Sequence, residues 1–117
     1  MQFLIVITGD EKAQGNTTVG QQKEMHAEYM RYTDALLASG VMKGGEALEP
    51  SSKGARISMK EGRRVVIDGP FAEAKEVIGG FYLIDVKTRA EAIEWAAKCP
   101  GAQHGTIELR QVMTIER

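Results

Sequence analysis

Phe81-Tyr82-Leu83-Ile84 puts large apolar side chains at four successive positions. Neighbouring side chains of a strand point to opposite faces, so this run asks for burial on both sides of its sheet. Phe3-Leu4-Ile5-Val6-Ile7 makes the same demand near the N-terminus, and residues 3–8 read as a strand rich in β-branched residues. Working outward, residues 81–86 and 3–8 predict two strands of a sheet that needs both faces covered.

Helical periodicity begins at about Gln22 and runs to Ser39. Met25, Tyr29, Leu36 and Gly40 fall near one face, with Met30, Thr33 and Leu37 beside it. Gly40 is placed to take the left-handed conformation that closes a helix, and Thr18 or a nearby polar residue to cap its start. Residues 88–98 form a second helical pattern, with Thr88 and Glu91 spaced as a capping box and Pro100-Gly101 as its stop. Residues 41–48 and 106–113 read as further strands, the former interrupted by Gly44-Gly45. Residues 55–60 and 63–68 make a hairpin around Glu61-Gly62, in which Ile57 and Met59 share one face, as do Val65 and Ile67. The stretches 9–20, 49–54 and 69–79 are loops, the last with a helical turn.

The order predicts a single α+β domain over residues 1–117, a ferredoxin-like βαβ…βαβ plan with an inserted β-hairpin. Two helices cover one face of such a sheet and no more. Each Leu, Ile or Phe left wet forgoes ~1.5–3 kcal/mol, so the expectation is a homodimer through the open sheet face. A long loop laid over that face is the alternative.

The bulk numbers remove several functions. Hydrophobic residues at 43% and charged residues at 26% describe a folded globule. A net charge of −1 offers no general attraction to nucleic acid or to acidic membranes. The five-residue apolar run near Met1 is too short for a membrane span or a secretion signal. Cys99, the one cysteine, cannot form an internal disulfide. Together these predict a cytoplasmic protein. Neither histidine has a neighbour at metal-ligand spacing, and no glycine pair is followed by a phosphate-loop lysine, so neither metal nor cofactor is expected.

Asp68-Gly69-Pro70-Phe71-Ala72-Glu73-Ala74-Lys75-Glu76, followed by Gly79-Gly80-Phe81-Tyr82-Leu83-Ile84-Asp85, resembles the YCII-related, or DGPF, family. The family form is DGPFAETKE, from which this chain departs only at Ala74. Gly9-Asp10-Glu11, Gly44-Gly45-Glu46-Ala47-Leu48 and Thr106-Ile107-Glu108-Leu109-Arg110 extend the resemblance over the whole chain. It implies a dimeric α+β barrel, and, since some relatives lie beside or are fused to alternative sigma factors, a regulator partner as a second class of function. It also implies a histidine–aspartate pair, with the histidine early in the first helix. Tyr29 stands at that place here and His26 three residues earlier, so the pair does not transfer intact.

Several residue types could carry chemistry. Asp68, at a strand end before Gly-Pro, would either accept hydrogen bonds from the amides of its own turn or serve as a general base. His26, with an ordinary pKa of about 6.5, is the handiest proton carrier in this region. Tyr29 can donate to a ligand oxygen, Lys75 can orient an anionic group, and Glu73 or Glu76 can move a proton. Phe71 reads as a hydrophobic plug or a ligand platform. The leading expectation is a homodimer with a small-molecule pocket between the first helix, the sheet and the 68–76 loop. Its ligand would be neutral or anionic, and any reaction would be cofactor-free acid–base chemistry through Asp68 and His26. The rival expectation is an interaction module that reaches a transcription regulator through the basic hairpin.

Overall fold

The computed structural model describes residues 1–11, 15–71 and 76–116. The elements are β1 (Gln2–Gly9), α1 (Val19–Ser39), β2 (Met42–Ala47), a 3-10 turn (Ser51–Lys53), β3 (Ala55–Lys60), β4 (Arg63–Asp68), β5 (Val77–Asp85), α2 (Arg89–Lys98), α3 (Pro100–His104) and β6 (Ile107–Gln111). Four strands form an antiparallel sheet in the order β2-β5-β1-β6, while β3 and β4 pair only with each other among the described residues. This is the ferredoxin-like α+β arrangement with an inserted hairpin.

Helix α1 starts three residues earlier than its periodicity predicts. Thr18 caps it: its hydroxyl accepts from the Gln21 amide at 3.1 Å, and the Gln21 side chain accepts from the Thr18 amide at 2.9 Å. Gly40 closes it at φ 77°, where a Cβ would be strained. At α2 the expected box is only half formed. Thr88 accepts from the Glu91 amide, but the Glu91 carboxylate takes the Lys87 amide instead of that of Thr88. Pro100 ends α2 and, having no amide hydrogen to leave unpaired, also opens α3, an element the periodicity did not show.

The core lies between the sheet and the helices. Phe3, Ile5, Tyr82 and Ile84 project from β1 and β5 onto Tyr32 and Leu36 of α1, Ala92 and Ala96 of α2, and Cys99. Met30 and Leu37, placed beside the buried stripe by periodicity, are exposed, because the tertiary contact sets the phase of α1 on Tyr32 and Leu36.

On the opposite face the strand register aligns two rows. One is Glu46, Phe81, Val6 and Glu108; the other is Gly44, Leu83, Leu4 and Arg110. A bulge between Ile7 and Thr8 then pairs Thr8 with Ile78, turning Ile78 outward on the same side. Residues 77–79, expected as loop, are therefore part of β5. The Cα extents are 48 × 46 × 18 Å, one thin dimension against two broad ones. That thickness fits a sheet with one helix layer, so the hairpin extends beside the sheet and does not fold back over it. The radius of gyration, 16.4 Å, exceeds the ~13 Å of a compact chain of this size. Among the described residues, no helix is long and apolar enough to cross a membrane.

Candidate functional site

Three segments converge where β1 and β2 end and β5 begins. Glu11, just past β1, reaches the 3-10 turn: its carboxylate accepts the Ser51 amide at 2.8 Å and, through the other oxygen, the Ser51 hydroxyl. These two donors hold the Glu11 carboxyl below the usual carboxylate range. The Leu48 amide donates to the Gly79 carbonyl at 2.9 Å, which ties the end of β2 to the bulge of β5. Between these ties lies a groove of about 280 Å³ with Leu48, Pro50, Val77 and Ile78 as its apolar lining and Glu11 and Glu49 as its carboxylates.

The Asp68–Phe71 turn closes on this region. The Gly69 amide donates to the Gly54 carbonyl at 3.0 Å; it does not turn back on the Asp68 carboxylate, as a self-capped turn would have it. Gly69 also presses against the Ser51 carbonyl so closely that a Cβ there would overlap the oxygen. Glycine at this place is therefore a steric requirement, read directly from the approach of the two backbones. The Gly69–Pro70 peptide is cis. Phe71 is half-buried, and the Arg56 guanidinium lies 3.9 Å from its ring centroid. Phe71 thus carries the chain's own cation on its ring.

The residues proposed from sequence separate into two places. Asp68 lies exposed at the base of the hairpin, opposite Ala55. Glu76 meets the Thr8 hydroxyl at 3.4 Å at the same end of the sheet. Glu73 and Lys75 lie outside the described residues. His26 is exposed on α1, and among the described residues no hydrogen bond or ion pair joins it to Asp68.

Tyr29 belongs to the helix layer, where it packs on the core beside Cys99 and Gly101. Around it the buried hydroxyls satisfy one another. Tyr32 donates to the Trp95 carbonyl at 2.7 Å, and Thr33 donates to the Tyr29 carbonyl at 2.8 Å. Thr33 has one hydroxyl hydrogen, so in its 2.8 Å contact with the Tyr82 hydroxyl the tyrosine is the donor. Burial pushes all three tyrosines and the Cys99 thiol up from their ordinary values, which makes the cluster inert near neutral pH.

A second depression, about 550 Å³, runs along the outside of the helices over Tyr32, Trp95 and Pro100. Some of its rim groups are already engaged: Lys98 sits over Trp95 at 5.0 Å, and His104 approaches Glu28 at 3.5 Å. Among the described residues no His, Cys, Asp and Glu side chains gather in a set of three or more able to hold a metal ion.

Glu11 and Ser51 were not legible as site residues. Their contact spans 40 positions, and neither carries a local motif beyond the Gly9-Asp10-Glu11 resemblance. Against known proteins, the family model described as the YCII-related domain matches residues 1–116. An uncharacterized protein of Rhizobium meliloti (strain 1021) is 31% identical over 110 residues, covering 91% of this chain and 86% of its own length.

Proposed function

Since this chain belongs to the YCII-related family, whose match spans the sheet, the glycine turn and the groove alike, we propose that it acts as a small-molecule-binding homodimer. The observation that carries the binding half is the groove at the sheet end, apolar along Leu48, Pro50, Val77 and Ile78 and braced by the Glu11–Ser51 tie. Its volume lies just under the ~300 Å³ lower bound of ordinary ligand pockets, which suits a small compound. The polar groups at its mouth are carboxylates that accept hydrogen bonds. A compact, largely apolar molecule with a hydrogen-bond donor fits it better than an anion. Binding is preferred to acid–base catalysis because Asp68 and His26 make no contact with each other among the described residues.

The dimer half rests on the open face, where Leu4, Val6, Phe81 and Leu83 form an apolar patch between Glu46 and Glu108 on one row and Arg110 on the other. Opposite charges at the patch rim allow two copies to meet with like charges apart. A cytoplasmic site is part of the same proposal, supported by the one buried cysteine without a thiol partner. The rival reading, a module docking on a transcription regulator, draws on the exposed basic hairpin, whose occupant is argued below to be a second copy.

Native mass spectrometry of gently purified protein tests both halves together. The expected spectrum is a dimer carrying a small retained mass that Val77→Arg, in the groove wall but on the face of β5 opposite Ile78, removes. A spectrum of monomer for the parent protein at micromolar concentration overturns the dimer. Dimers whose bound mass survives Val77→Arg overturn the groove.

A further inference from the structure

Among the described residues, two parts of the chain leave large apolar side chains exposed, and the hairpin pairs with no third strand. The β3–β4 hairpin exposes Ile57 (68%), Met59 (65%), Val66 (51%) and Ile67 (56%). A two-stranded hairpin is at best marginally stable alone, and three strands with an apolar face are the usual minimum. Past β6, residues 112–116 belong to no strand or helix. The Val112 amide donates to the Gln2 carbonyl at 2.9 Å, after which Met113 (78%) and Ile115 (72%) stand exposed.

Side-chain alternation sorts both segments. The hairpin register puts Ile57, Met59, Val66 and Arg64 on one face, and Lys60, Arg63, Val65 and Ile67 on the other. In an extended tail Met113 and Ile115 share one side, and Thr114 and Glu116 the other. A tail strand laid along the hairpin edge would set Met113 and Ile115 beside Ile57, Met59 and Val66. The same register would set Glu116 beside Lys60 and Arg63, a match of both polarity and charge.

The two segments cannot meet within one chain. The hairpin leaves from the β2–β5 side of the sheet, at the end where Ala47 pairs with Gly80. The tail leaves from the opposite edge strand, at the other end, where Phe3 pairs with Gln111. They are diagonal corners of one sheet. A two-fold axis lying between two facing sheets along the other diagonal carries each corner onto its opposite, so the hairpin of one copy meets the tail of the other, twice. The contact closes on itself and forms no open chain of subunits.

We propose that the hairpin is an exchange arm: the tail of one copy, residues 112–116, adds to the hairpin of the other as its third strand. This rests on the homodimer reading above and specifies its geometry. Because the hairpin base carries Asp68 and abuts the groove-side turn, the arm ties the partner's tail to each groove.

Cross-linking of mixed single-cysteine proteins tests it. Cys99 is buried and serves as a silent background. Met59→Cys and Met113→Cys, both at exposed positions, are prepared separately, unfolded, mixed and refolded, then treated with a short bis-maleimide. The expected result is a covalent dimer from the mixture that neither protein gives alone. Dimers from Met59→Cys alone mean that hairpin meets hairpin, which overturns the exchange. A non-covalent dimer by native mass spectrometry without any mixed cross-link overturns the arm and leaves the homodimer standing; monomer alone removes both. As a second readout, ending the chain after Gln111 is expected to speed amide exchange across residues 55–68. Unchanged exchange there, whether the hairpin is bare in both proteins or covered by something else, overturns the proposal.

Discussion

Replacing Gly69 by alanine tests whether the turn is held by the close approach of two backbones. A Cβ at Gly69 meets the Ser51 carbonyl oxygen and carbon, atoms of the main chain that no rotamer change can move aside. The turn must then retreat from the 3-10 segment, and the bond from the Gly69 amide to Gly54, 3.0 Å in the native structure, stretches or breaks. Overpacking of this kind costs ~1–3 kcal/mol, and the net loss of one hydrogen bond ~0.5–1.5 kcal/mol. The sum is ~1.5–4.5 kcal/mol, a large part of the ~5–15 kcal/mol that holds an ordinary domain together. Urea unfolding followed by far-ultraviolet circular dichroism, at one protein concentration, measures it. Gly79→Ala is the matched control. Its Cβ would meet nothing nearer than the Ile7 carbonyl oxygen at 4.0 Å, so a change within ~0.5–1 kcal/mol is expected from strand propensity alone. If Gly69→Ala unfolds at the same urea concentration as the parent, the steric account of the glycine turn is wrong.

Three further outcomes follow from the polar contacts. The Ser51 donors hold Glu11 below the usual carboxylate range, so this tie stabilises the fold above that range and is lost as pH falls through the lowered value; a carboxyl-carbon NMR titration that follows the Ser51 amide shift in parallel reports it, and Glu11→Gln should flatten both curves. Thr33→Val leaves the Tyr82 hydroxyl hydrogen without its acceptor and should cost ~1–3 kcal/mol; adding Tyr82→Phe should return part of that loss, and strictly additive losses in the double-mutant cycle would show the contact to be idle. The raised tyrosines favour the neutral hydroxyl in the folded state, so their contribution is full below about 10, the ordinary tyrosine value, and is lost as pH rises. Tyrosinate absorbance should therefore appear together with unfolding, and a titration of folded protein near pH 10 would contradict it.

Much of the fold was legible because its signals are local. Phe81–Ile84 and Phe3–Ile7 announce a sheet that wants two covered faces, and Thr18, Gly40 and Thr88 mark helix ends through groups three or four residues away. What failed was set by partners distant in sequence. Leu36, on the face that periodicity marks, is buried with Tyr32, while Met30 and Leu37 beside that face are exposed, because the contact with the sheet is narrower than the apolar pattern. Residues 77–79 read as the end of a loop, but Val77 and Ile78 pair with β1, and pairing outweighs propensity. Of the residues named from the family motif, Phe71 lies under the Arg56 guanidinium and Glu76 meets the Thr8 hydroxyl. The motif could not give the reason for Gly69, which is Ser51, or the carboxylate that braces the groove, which is Glu11.

The bulge in β5 joins the two halves of the proposed function. At Gly80 a Cβ would stand 2.9 Å from the Glu46 carbonyl oxygen, so β2 lies against β5 more closely than a side chain permits. Immediately before it the register slips, and Ile78 turns from the helix side to the open face. Ile78 consequently lines the groove and also extends the apolar row begun by Leu83 and Phe81. A partner covering that face must approach the groove mouth, because one residue belongs to both surfaces. Occupancy of the groove and association of the two copies should then be linked, and by linkage each must shift the other by the same factor. A ligand whose affinity is unchanged on dilution from dimer to monomer would show that the two surfaces, though adjacent, act separately.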